Sequence, residues 1–134
     1  IRTLKVAACH ADGWNAPYIS PEDYHKKLKV LEQWCEFHER NSAEIARTVN
    51  VGFYLGTDKL NAHKKKQLFQ EKWGYKAPEV AKGMLFGTSK DVVERIREYE
   101  NAGADGLNIA LRSPFDWYAN QTFLEEVLPV FHQE

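Results

Sequence analysis

Gly87-Thr-Ser-Lys-Asp-Val-Val-Glu-Arg-Ile-Arg-Glu-Tyr-Glu-Asn-Ala-Gly-Ala-Asp-Gly-Leu-Asn-Ile-Ala-Leu111 is the stretch whose reading decides the fold. Thr88 or Ser89 caps a helix. Val92, Val93, Ile96 and Tyr99 recur at the spacing of one helical face. Gly103 falls where a left-handed C-terminal cap is wanted. Asp105 to Leu111 follows at once as a short strand, expected to be apolar on both faces, and Pro114 punctuates it. A capped helix running directly into a short apolar strand is one step of a parallel sheet wrapped by helices.

Working outward, the same alternation recurs. Residues 2–11 place Leu4, Val6, Ala7, Ala8 and Ala11 on one side of a helix ended by Asp12-Gly13. Gly13-Trp14-Asn15-Ala16 reads as a short buried strand closed by Pro17. Ser20, Pro21, Glu22 and Asp23 open a second helix. Its face is Tyr24, Leu28, Leu31, Cys35 and His38, and it ends near Arg40-Asn41; Ser42 caps a short turn through Ile45. Thr48 to Leu55, β-branched and aromatic, is the clearest strand. A lysine-rich helix spans Asp58 to about Trp73, and residues 79–85 read as another short helix. A final helix runs from Tyr118 to Phe131. Three parallel strands at about 13–16, 49–55 and 105–111, with helices on one side, are expected.

The chain has 134 residues, 43% apolar and 28% charged, which suits one globular domain over 1–134. A net charge of -1 gives no global field for nucleic acid or an anionic membrane. No apolar run is long enough to cross a bilayer. Two cysteines, Cys9 and Cys35, are too few for a disulfide scaffold, so a cytoplasmic setting is the expectation. The chain opens at Ile1 on what reads as helix interior, which suggests sequence upstream.

Three blocks together resemble one family. They are Leu4 to Asn15, ending Ala-Asp-Gly-Trp-Asn; the Gly87–Ile109 stretch; and Phe123-Leu-Glu-Glu-Val-Leu-Pro. Their order and spacing are similar to the C-terminal portion of the luciferase-like monooxygenases. The resemblance implies an α/β fold, the C-terminal part of a (β/α)8 TIM barrel. A complete barrel has eight strands and typically about 250 residues. It also implies a site at the C-terminal mouth of the strands, where the family binds FMN or the deazaflavin coenzyme F420. The Asp-Gly-Trp-Asn and Gly-Thr-Ser-Lys-Asp-Val-Val blocks look most like the deazaflavin subgroup. The family's glycine-rich phosphate loop would lie just before Ile1.

Candidate residues follow from that placement. The resemblance implies phosphate contact by Thr3, with Arg2 beside it; the competing reading is ordinary first-turn surface. Trp14 and Asn15 end the first strand, where an indole can pack near the isoalloxazine, although a core tryptophan beside a turn asparagine is the preferred reading. Tyr54 ends the second strand and Arg112 the third. A cation there suits an anionic substrate or cofactor tail, against a merely solvated arginine. Cys35 and His38 are already explained as core face, so no metal is expected. His63-Lys-Lys-Lys66 reads as a solvated helix face rather than a nucleic-acid contact.

The expected activity of the parent barrel is hydride transfer or monooxygenation of a small-molecule substrate. The chain alone is expected to be inactive, and to bind neither FMN nor F420 tightly. The alternative is a non-catalytic partial barrel. In either case open sheet edges predict self-association or a place in a larger assembly.

Overall fold

The computed structural model describes residues 2–132; Ile1 lies outside them. Helix α1 (Arg2–His10) leads to strand β1 (Gly13–Pro17) and helix α2 (Pro21–Phe37). Ser20 caps α2, its Oγ accepting from Asp23 N–H at 3.1 Å. A short 3-10 turn, Ser42–Glu44, is capped by Asn41 rather than Ser42. Strand β2 (Ala46–Leu55), helix α3 (Lys59–Trp73), helix α4 (Ala77–Ala81), strand β3 (Met84–Gly87), helix α5 (Ser89–Asn101) and strand β4 (Gly106–Ala110) follow. Two C-terminal helices, α6 (Trp117–Thr122) and α7 (Leu128–Phe131), flank a π turn at Phe123–Val127. None of the described helices is long and apolar enough to cross a membrane.

All strand pairs are parallel, and β2 is the hub. Residues 48–50 of β2 pair with both β1 and β4, so those two strands hold opposite edges. Gly52 pairs with both Met84 and Ala110, so β3 and β4 are also on opposite edges. Hence β1 and β3 lie end to end along one edge of β2. Tyr18 N–H continues the β1 ladder to Asn50 O at 2.9 Å, and Gly52 N–H takes it up again at Gly83 O. The sequence reading missed β3. It assigned a helix to residues 79–85, but the helix stops at Ala81 and the chain turns into the sheet at Gly83.

Strand side chains alternate between two faces. Trp14, Ala16, Val49, Val51, Leu55 and Leu85 fall on one face and form the main core with α1, α2 and α5. Within it Tyr24 stacks on Trp14 at 5.3 Å and meets Tyr99 edge-on at 6.4 Å. Tyr99 is fully buried and its hydroxyl donates to Ile19 O at 2.6 Å. Arg40 folds back onto the C-terminal end of α1, donating to Ala8 O at 3.1 Å and Ala11 O at 2.8 Å. That satisfies carbonyls that a helix end leaves without partners.

Not every helix lies on that side. Phe69 of α3 packs on Tyr54 at 5.1 Å and on Phe86 at 4.9 Å, and both belong to the opposite face. With Ala77 and Met84 they make a second, smaller core. The expected one-sided arrangement is therefore corrected: α3 and α4 cover the inner face at the C-terminal ends of β2 and β3. The final helix is also less regular than its pattern predicts. Pro129 has no N–H to continue the ladder, and the helix widens into the π turn just before it. Nor is β4 apolar on both faces, since Asn108 points inward.

Candidate functional site

The inner face of the sheet is polar towards the N-terminal ends of the strands. Asn15 Oδ1 accepts from Thr48 Oγ1 at 3.0 Å and from Asn108 Nδ2 at 3.1 Å, tying three strands together. Towards the C-terminal ends the face opens into a cavity of about 470 Å³. Gly52 and Tyr54 of β2, Met84 of β3 and Ala110 of β4 supply its sheet wall, and Trp73 of α3 lines it too. Leu111 to Asp116, the exposed segment between β4 and α6, and Trp117 at the start of α6 line its rim.

Local chemistry fixes that rim at two points. Lys65 Nζ donates to Leu55 O at 2.5 Å and pairs with Asp116 Oδ2 at 2.5 Å. Asp116 also caps α6, its Oδ1 accepting from Ala119 N–H at 3.0 Å. Burial pushes the Asp116 carboxyl up, but the bonds from Lys65 and Ala119 outweigh it and hold it below the usual carboxylate range. At the other end, Arg112 Nη2 lies 3.0 Å from Tyr18 Oη, and its guanidinium sits over the Tyr18 ring at 5.6 Å. Tyr18 directly follows β1 and has φ 46°, in the left-handed region that bulky residues seldom occupy.

Of the residues singled out in the sequence, Tyr54 and Arg112 come together in this cavity. Asn15 is on the same inner face, nearer the other end of the strands. Trp14 points the other way, 9% exposed and stacked on Tyr24. Arg2 and Thr3 are exposed on the first turn of α1, and neither lines the cavity. Cys35 is buried in the core, and His38 stacks on Trp34 at the end of α2. Among the described residues no cluster of three or more His, Cys, Asp or Glu is arranged to hold a metal.

Three site residues were not found from the sequence. Lys65 sits in a run that reads as solvated surface, yet it alone of that run turns in to Leu55 and Asp116. Tyr18 follows Pro17 with nothing to mark its left-handed backbone. Trp73 looks like the last residue of a helix, and its Nε1 is buried without a hydrogen-bond partner among the described residues.

No family model matches the chain, and no curated protein matches it. Solved structures do. A coenzyme F420-dependent tetrahydromethanopterin reductase from Methanopyrus kandleri superposes with TM-score 0.73 at 17% identity, over 96% of this chain and 48% of that one. A long-chain alkane monooxygenase gives TM-score 0.74 at 18% identity, over 97% of this chain and 38% of the other. A riboflavin lyase holding a modified FMN and riboflavin gives 0.73 at 13% identity, over 97% and 40%. The chain thus spans less than half the length of each of these structures.

Proposed function

We propose that this chain, which folds like part of a luciferase-like (β/α)8 barrel, forms the substrate-side mouth of a flavin- or deazaflavin-dependent oxidoreductase. One observation carries the reading: the cavity opens on the inner face at the C-terminal ends of β2 and β4, where barrels of this architecture gather their active sites. FMN or F420, when bound, supplies the electron chemistry. The protein's task is to hold substrate against the cofactor and keep water out. Tyr54 and Met84 offer an apolar wall for that, and Arg112 a cation at the rim.

The cofactor's phosphate is assigned to the N-terminal turn of α1, with Thr3 and Arg2, where free N–H groups and the helix dipole favour an anion. A glycine-rich loop preceding α1 is needed to complete that cradle. The 134-residue chain alone is therefore expected to bind FMN or F420 more weakly than micromolar. Amide NMR of the chain with millimolar FMN tests both parts. Shifts concentrated on Asn15, Thr48, Tyr54, Asn108 and Arg112 support the reading. Shifts scattered over α2 and α5, or none at all, sink it. Saturation at micromolar FMN would show that no outside loop is required.

A second reading, a non-catalytic partial barrel that associates with itself, is favoured by the free edges of β1 and β4 among the described residues.

A further inference from the structure

The charge of the cavity is not balanced by the residues that line it. Lys65, Lys72 and Arg112 are its cations, and Asp116 is its one acid. Asp116 is taken by Lys65. Lys72 enters none of the ion pairs among the described residues. Arg112 is held by a neutral phenol rather than a carboxylate. One of its five N–H donors is used on Tyr18, and its charge stays uncompensated. Two cations without a carboxylate partner among the described residues thus line a cavity whose other walls are largely apolar: Tyr54, Met84 and Trp73. Cations at the mouth of an apolar cavity suit a ligand with an acceptor-rich anionic end and an apolar body.

Resting on the reading of this cavity as the substrate site, we infer that its substrate class is a small organic acid, a carboxylate or sulfonate on an aromatic or aliphatic body. The anionic end lies between Arg112 and Lys72, and the body lies on Tyr54, Met84 and Trp73. Tyr18 is the positioning residue: its hydroxyl and ring aim the guanidinium, and its backbone is pinned by the sheet through Asn50 O. Lys65 and Asp116 brace the rim and contribute no net charge.

Isothermal titration of the full chain with 2-naphthoate, 2-naphthalenesulfonate and the neutral 2-naphthalenemethanol tests this. The acids are expected to bind about tenfold or more tighter than the alcohol, the scale of one charge-assisted hydrogen bond. Arg112→Met and Lys72→Met should each shrink that ratio. Tyr18→Phe should shrink it less. Melting curves identify any variant that has lost its fold, and raising salt on the unaltered chain gives the same comparison without mutation. Equal affinity for acid and alcohol would overturn the acid specificity while leaving the cavity as a binding site. Binding of neither would overturn the site itself. Inorganic phosphate displacing naphthoate at equal concentration would assign the cations to a phosphate group and overturn the organic-acid reading.

Discussion

Gly83 packs against the backbone of Tyr18 so closely that a Cβ on it would lie 2.2 Å from the Tyr18 carbonyl carbon and 2.3 Å from its Cα. The contact sits where β1 ends and β3 begins along the shared edge of β2. Both atoms are backbone, so no side-chain rotation relieves the overlap. Gly83→Ala is expected to destabilise the fold by about 1–3 kcal/mol, the usual cost of overpacking. Gly106→Ala is the control, since its Cβ would meet only Thr48 Cγ2 at 3.8 Å. Urea midpoints check both. A silent Gly83→Ala would mean that the end-to-end junction of β1 and β3 is looser than described.

Two buried tyrosines predict opposite outcomes for the same substitution. Tyr24 Oη is buried with no hydrogen-bond partner among the described residues, whereas Tyr99 Oη donates to Ile19 O at 2.6 Å. Burial pushes both phenols up, Tyr99 to about 12. Removing an unsatisfied hydroxyl removes a desolvation cost, while removing a bonded one leaves the half-buried Ile19 carbonyl without that partner. Tyr24→Phe should be neutral or stabilising, and Tyr99→Phe should lose about 1–2 kcal/mol. Chemical denaturation of the two variants side by side decides it, and equal losses would contradict the assignment.

These contrasts also show what sequence patterns carry. Ser20 with Pro21, and Thr88 or Ser89, mark helix starts because caps need particular side chains at fixed offsets; the structure makes Thr88 the cap, with Asp91 closing a capping box. The place of Tyr54 and Arg112 beside the cavity was legible because the end of a strand is also the mouth of a barrel. β3 was not, since Met84-Leu-Phe-Gly87 is too short for a period of two to separate from a helical turn. The inward placement of α3 rests chiefly on Phe69 within a polar, lysine-rich helix, so no amphipathic stripe announced it. Tyr18 and Lys65 were invisible for a different reason: their roles come from partners far along the chain, Arg112 and Asp116.

The Lys65–Asp116 pair gives the rim a pH dependence. The folded Asp116 carboxyl titrates below its ordinary value, near 3.9 in an unfolded chain. A depressed carboxylate contributes stability that is fully present above the unfolded value. That contribution is lost as pH falls through the lower folded one. Asp116→Asn keeps an N-cap acceptor for Ala119 and removes only the charge. The variant should be less stable than the parent at pH 7, and the gap should close below about pH 4. Urea midpoints from pH 7 to 3 measure it. A gap that stays constant with pH would mean that the ion pair does not act as a charge pair.

The last prediction concerns the edges of the sheet. β2 is paired on both sides, but β1, β3 and β4 each pair on one side only among the described residues. A row of unpaired N–H and C=O groups is a template for another strand. Close to these edges the rim exposes Leu111, Phe115 and Trp117, the last 66% exposed. Unpaired backbone next to apolar surface favours association, because one contact satisfies both. The chain is therefore expected to sediment with an average mass that rises with concentration. Adding moderate salt should not reverse this, since a net charge of -1 gives electrostatics little part in it. A single monomeric species across the range, with one cooperative melting transition, would mean that local rearrangement covers the edges. That result would remove the support for self-association as this chain's alternative role.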